Sequence, residues 1–143
     1  MRDIKFLVGS KENIRFYMKE IIKIERSCSL KNVWKKNNFL IDLDFKWKLS
    51  KIMFYRNMLI GFSIVSKKND YTCHIHRFMV DQMFRSQGFG TFLLNDIKQG
   101  AKKFDYLTLY VDSKNDRAVS FYKKSFFKPI LMFGDDIFMI FKC

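Results

Sequence analysis

The chain has 143 residues, 48% hydrophobic and 17% aromatic, with a formal charge of +13; this suits one folded domain spanning 1–143 and argues against disorder. No apolar run approaches the roughly 18 residues needed to span a bilayer, and MRDIKFLVGSKEN is too soon interrupted by charge for a secretory signal. Three cysteines, Cys28, Cys73 and Cys143, form no CxxC pair, which argues against a disulfide framework or cysteine zinc site and for free thiols in a reducing cytoplasm.

In chain order, Arg2 to Val8 reads as a short strand. Ser10 can then cap a helix that places Ile14, Tyr17, Met18, Ile21 and Ile22 on one face. A second helix is expected from Leu30 to about Phe39, with Val33 and Trp34 inward, whereas Asn37 to Leu49 carries no clear pattern. From Lys51 the period becomes two. Ile52, Phe54 and then Leu59 to Val65 suggest two antiparallel strands joined near Arg56-Asn57, and Tyr71 to Asp81 a third. Gly88 to about Lys103 reads as a helix with an apolar stripe of Phe92, Leu93, Leu94, Ile97 and Ala101. Phe104 to Val111 alternates as a strand, and a helix of about eleven residues starts near Asn115. Lys128 to Phe133 and Ile137 to Phe141 close the chain as strands around Gly134-Asp135-Asp136. The expected fold is α/β, a mixed sheet with helices on its faces, in the order β-α-α-β-β-β-α-β-α-β-β.

One junction carries chemistry. RSQGFGT, from Arg85 to Thr91, links a strand to a helix N-terminus. There unpaired N–H groups, the helix dipole and glycines allow a phosphate to approach the backbone. Gly88 and Gly90 are also consistent with nothing more than a tight turn. No Gly-Lys-Ser/Thr follows, so this is not a Walker loop; Leu93 stands where a dinucleotide fingerprint needs its third glycine.

FMVDQMFRSQGFGTFLL resembles the acetyl-coenzyme A loop of the GNAT superfamily of N-acetyltransferases, with Val80, Arg85, Gly88 and Gly90 at matching offsets. LTLYVDSKNDRAVSFYKKSFF resembles that family's next strand and helix through Leu109, Val111, Asn115, Ala118, Phe121 and Tyr122. The resemblance implies a GNAT-like three-layer fold and acetyl-coenzyme A as co-substrate. Its pyrophosphate would sit on the backbone of Arg85, Ser86, Gln87, Gly88, Phe89, Gly90 and Thr91. Its pantetheine arm would pair with main-chain groups of Phe78 and Val80, between central strands that the family commonly splays. Asn115 would contact the pantetheine or order water, and Tyr122 would sit near the thioester sulfur as general acid. Asn115 also suits a helix cap and Tyr122 a packed aromatic. Two departures stand out: Gln82 occupies a common proline position, and Phe126 replaces the glycine that usually ends the following helix.

His74 and His76 are the only histidines. Unbroken alternation puts them on one face with Phe78, and Cys73, Ile75 and Arg77 on the other, the imidazoles about 7 Å apart. Amine acetylation requires a proton to leave an ammonium and another to reach the departing thiolate, and histidine suits the first task. His-x-His at this offset resembles the arylalkylamine N-acetyltransferases, which implies a water-mediated base. The bland alternative is two polar residues near an opening. A metal site would need a third ligand on the same face, so none is assigned. Tyr110 stands where ribosomal-protein N-terminal acetyltransferases carry a glutamate, although IERSCSLKNVW has a faint likeness to their first-helix segment.

The charge implies anionic partners. The acceptor amine, on a small molecule or protein, is expected to be anionic in part. Nucleic acid such as tRNA is a second class of partner, and a basic binding module without turnover is the rival reading.

Overall fold

A computed structural model describes residues 3–28 and 31–143. One seven-stranded sheet runs in the order β1-β2-β3-β4-β5-β7-β6. Its strands are β1 Ile4–Val8, β2 Lys51–Tyr55, β3 Met58–Asn69, β4 Thr72–Val80, β5 Tyr106–Asp112, β6 Lys128–Phe133 and β7 Asp136–Lys142. All neighbours are antiparallel except β4 and β5. That parallel pair is joined by a crossover through a helix, as parallel neighbours require.

The helices are α1 Lys11–Phe16, α2 Met18–Ser27, α3 Lys36–Leu40, α4 Lys46–Leu49, α5 Phe89–Gly100 and α6 Asp116–Lys124. Ile14, Ile21, Ile24 and Phe39 pack on one face of the sheet against Phe62 and Ile64. Leu93, Leu94 and Ile97 of α5 pack on the other against Ile75, Leu107 and Leu109, with Tyr122 of α6 in the same core. The three-layer α/β architecture and its element order are those expected, with the early helices divided. Tyr17, at φ −98° and ψ 15°, separates α1 from α2. No helix among the described residues is long and apolar enough to cross a membrane.

The helix expected over Leu30 to Phe39 is corrected to Lys36–Leu40; Val33 is exposed, Trp34 half-buried, and Leu30 lies outside the described residues. Side chains compete for the backbone there. Trp34 N–H donates to the Glu25 carboxylate at 3.0 Å and Lys35 N–H to Asn38 Oδ1 at 2.8 Å, so regular helix begins only beyond them. The patternless stretch that follows is organised by fully buried Lys46. Its ammonium donates to the carbonyls of Phe39 and Ile41 at 2.7 and 2.6 Å and lies over the Trp47 ring. Burial brings its pKa down to about 8.

Beyond α6, Phe126 has φ 72°, with its N–H on Lys123 O and the Phe127 N–H on Tyr122 O. This is the left-handed ending that glycine normally supplies, bearing a side chain that is 77% exposed. Phe126→Gly should therefore stabilise the fold by about 0.5–1 kcal/mol, the left-handed cost less glycine's extra unfolded-state entropy. Thermal unfolding should show a midpoint about 2–4 °C higher; an unchanged or lower midpoint would refute this account.

Candidate active site

β4 and β5 pair only from Thr72–Tyr106 to Ile75–Leu109. On its other edge, β4 pairs Ile75 with Val65 and Arg77 with Ile64, which leaves His76 as an extra, bulged residue. A bulge bends its strand and sharpens its twist. Beyond it β4 and β5 no longer pair, and a cleft of about 960 Å³ passes through the gap. It reaches from Ser86 and Gly88 on the α5–α6 side to Trp34 and Arg77 on the α2 side. Such a volume suits a sizeable small-molecule ligand.

The bulge overturns one expectation. Upstream, Cys73 and Ile75 join the α5–α6 core; downstream, Phe78 and Val80 do so, while Met79 joins the opposite core. Phe78 therefore lies across the sheet from the two histidines, and Arg77 lies on their side, beside Trp34. The extra residue shifts the alternation by one. It also brings the imidazoles closer than regular spacing would, to 4.9 Å between ring centroids.

Each ring is held by a hydroxyl: His74 Nδ1 is 2.7 Å from Thr108 Oγ1, and His76 Nε2 is 2.7 Å from Ser66 Oγ. Among the described residues, His74 Nε2 and His76 Nδ1 have no protein partner. Burial is the main cause that lowers the His74 pKa to about 3, with His76 and Lys68 adding to it. Burial, then Lys68, Lys46 and Arg77, lowers His76 to about 4. Both rings are thus neutral proton acceptors at neutral pH.

The same shifts make stability depend on pH. Unfolded histidines take up protons as pH falls below about 6.5, whereas the folded rings resist until near their lowered values. Stability is therefore full above about pH 6.5 and is lost below it, by about 2–4 kcal/mol between pH 6.5 and 5. Denaturant titrations should show this loss, and a His74→Gln/His76→Gln variant should flatten it. An equally steep loss in the variant would assign the effect elsewhere.

At the other end of the cleft, α5 begins at Phe89 after Gly88, which has φ 89°. Among the described residues, none of the N–H groups from Ser86 to Thr91 finds a hydrogen-bond acceptor. Of these residues Ser86, Gly88, Gly90 and Thr91 line the mouth of the cleft, at the positive end of a helix. The side chain of Arg85 turns back to Val80 O at 3.3 Å and Cys28 Sγ at 3.0 Å, tying the loop to the end of α2. Arg117 of α6 donates to Ser86 Oγ and brings a cation to the loop. The side chain of Gln87 bonds Met83 O and that of Phe89 is buried, so these two can offer a ligand their backbone.

Asp81 N–H donates to Ile60 O on β3. By strand alternation, main-chain groups of Val80 and Phe78 point the other way, into the gap. Tyr122 lines the gap, its ring packed on Phe78, Phe121 and Phe127. Burial drives its pKa well above the usual phenol value, so its hydroxyl is a neutral donor. Asn115 caps α6 through Ala118 N–H at 3.2 Å and also lines the cleft. Cap and ligand contact are compatible, because its amide nitrogen is left over.

Sequence reading missed Ser66, Thr108, Arg117 and the Arg77–Trp34 wall. Ser66 and Thr108 left a trace, as hydroxyls at buried positions of apolar strands. Cys73 is buried with its thiol pushed up to about 12, which suits an inert thiol. Among the described residues no cluster of His, Cys, Asp and Glu could hold a metal ion.

A model of the acetyltransferase (GNAT) family matches residues 18–126. No curated protein matches the sequence. Among solved structures, the ribosomal-protein-S18-alanine N-acetyltransferase of Escherichia coli superposes with a TM-score of 0.80 at 17% identity, covering 97% of this chain and 93% of that one. Ard1 from Thermoplasma volcanium gives 0.79 at 21% identity, covering 96% and 95%. The PaiA N-acetyltransferase of Thermoplasma acidophilum, in complex with coenzyme A, gives 0.75 at 19% identity, covering 98% and 99%.

Proposed function

Because the chain belongs to the acetyltransferase (GNAT) family, we propose that it transfers acetyl from acetyl-coenzyme A to a primary amine by direct attack in a ternary complex. The observation that carries this reading is the set of unpartnered N–H groups at Ser86, Gly88, Gly90 and Thr91, on the wall of the cleft that opens where β4 leaves β5. Arg117 beside Ser86 adds the charge that a diphosphate needs. The main-chain groups of Phe78 and Val80 line a slot that an extended amide arm can join as an extra strand. Coenzyme A in the PaiA neighbour supports the same cofactor here. When bound, acetyl-coenzyme A supplies an activated thioester.

The residues of this chain would manage the protons. His74 and His76, neutral and each with one free nitrogen, would take the amine's proton through a shared water. Their low basicity makes them weak acceptors, so a proton taken from the amine would pass on to solvent and not stay on the rings. Tyr122 would donate to the departing thiolate from the opposite side of the strand. The acceptor would approach from the α2 side, where Trp34, Arg77 and Tyr110 line the cleft around the histidines. Neighbours named for a ribosomal-protein alanine, and for a complex with a peptide-bearing bisubstrate analogue, support an amine of the protein or peptide kind as one candidate class.

The test is calorimetric titration with coenzyme A, paired with thiol release from acetyl-coenzyme A across a panel of amines. Saturable binding and amine-dependent release support the reading. Salt-sensitive RNA binding without either would favour the basic binding module.

A further inference from the structure

α1 and α2 leave part of their side of the sheet bare, and a hollow of about 290 Å³ lies there beside the histidines. Its lining includes Lys68, Thr72, Tyr106, Thr108, Tyr110 and Phe138, and no carboxylate. Strand register places more of the surface. Tyr106 lies opposite Lys142, Thr108 opposite Ile140, Tyr110 opposite Phe138, and Ile140 opposite Lys128. Paired residues share a face, so Lys128 and Lys142 flank the hollow on one side and Lys68 on the other. Among the described residues none of these lysines enters an ion pair. Tyr106 and Tyr110 are 41% and 43% exposed, which leaves ring surface open. Tyr110 also lines the catalytic cleft, its ring 5.4 Å from that of His74. Hollow and cleft therefore share a wall.

We propose that this hollow binds the phosphate-bearing, planar-ring portion of the acceptor, a ligand of the nucleotide class, while the acceptor's amine passes over Tyr110 to the histidines. The inference rests on the acetyl-transfer reading above. Charge decides the sign of the ligand: three lysines without acidic partners, in a chain of net +13, attract an anion and repel a second copy of the chain. The floor decides its shape. Half-exposed aromatic rings suit stacking by a base, with phosphate on the surrounding ammonium groups. An extended acidic peptide would satisfy the lysines, but strand addition needs a free edge, and this surface is the face of a paired ladder.

Seating an anion here would also act on the base. Lys68 contributes to the low basicity of both imidazoles. The other groups around them are Tyr110 and Thr108 on β5, Lys46 from α4, and Arg77, which is paired with Glu25 of α2. Neutralising Lys68 would make the histidines better proton acceptors only when an acceptor is in place.

Amide NMR of the full chain tests the proposal. Adenosine 5′-monophosphate, titrated with the α5 loop saturated by coenzyme A and again without it, should give saturable shifts at Thr72, Thr108, Tyr110 and Ile140. Lys68→Met/Lys142→Met should weaken that binding at least tenfold while the remaining spectrum holds. Inorganic phosphate should shift the same residues more weakly, and a triglutamate peptide should fail to compete. Shifts confined to Ser86–Thr91, or effective competition by the peptide, would overturn the proposal. If coenzyme A itself fails to shift Ser86–Thr91, the acetyl-transfer reading falls, and the nucleotide titration still reports on the hollow.

Discussion

Tyr122→Phe is expected to lower kcat by about 10²–10³-fold while Kd for coenzyme A changes less than about threefold. The ring sits among Phe78, Phe121 and Phe127, contacts that phenylalanine would preserve. Only the hydroxyl is removed; it has no hydrogen-bonding partner among the described residues and borders the gap between β4 and β5. Such a hydroxyl contributes little to the resting fold, so its loss should appear in the transition state. Steady-state rates with calorimetric Kd values make the comparison. Equal losses in rate and affinity would assign Tyr122 to packing.

Glu25→Ala should cost about 3–5 kcal/mol of stability, the range for removing one partner of a buried ion pair. Glu25 is completely buried, and its second oxygen meets Arg77 Nε at 3.3 Å, within ion-pair range but off the line of a hydrogen bond. The same oxygen accepts the Trp34 N–H. The Arg77 guanidinium lies against the Trp34 ring and also donates to Asn32 O. Removing the carboxylate would strand a largely buried cation and release the segment that walls the acceptor side. For a chain of this length the thermal midpoint should fall by about 10–15 °C. A Glu25→Ala/Arg77→Leu variant should recover part of it, because the stranded charge is gone. A fall of only a degree or two in the single variant would show that the pair is solvated.

Most of the architecture was legible because its signals are local. Period-two alternation marked β2 to β5, the glycine turn marked the start of α5, and the stripe of Leu93, Leu94 and Ile97 marked its buried face. The loop was legible as an anion cradle for the same reason: backbone donors at a helix start need no distant partner. The segment from residue 31 to Leu49 was not, because its order comes from long-range polar contacts. Glu25 reaches Trp34, and Lys46 gathers carbonyls five and seven residues away. A buried lysine reads in sequence as a surface lysine. The histidine pair was legible as a pair, but its setting was not. Ser66 and Thr108 come from neighbouring strands, and nothing in CHIHRFMV announces an extra residue.

That extra residue has a wider meaning. Were the chain one amino acid shorter at His76, the rungs linking β3 to β4 could continue in step, with Phe78 and Val80 keeping the side of the sheet they now occupy. β4 would then run on flat beside β5, and the doorway between them would zip shut. Access to this enzyme's interior is thus governed by arithmetic along the backbone. A deletion there should silence the protein even if its thermostability rose.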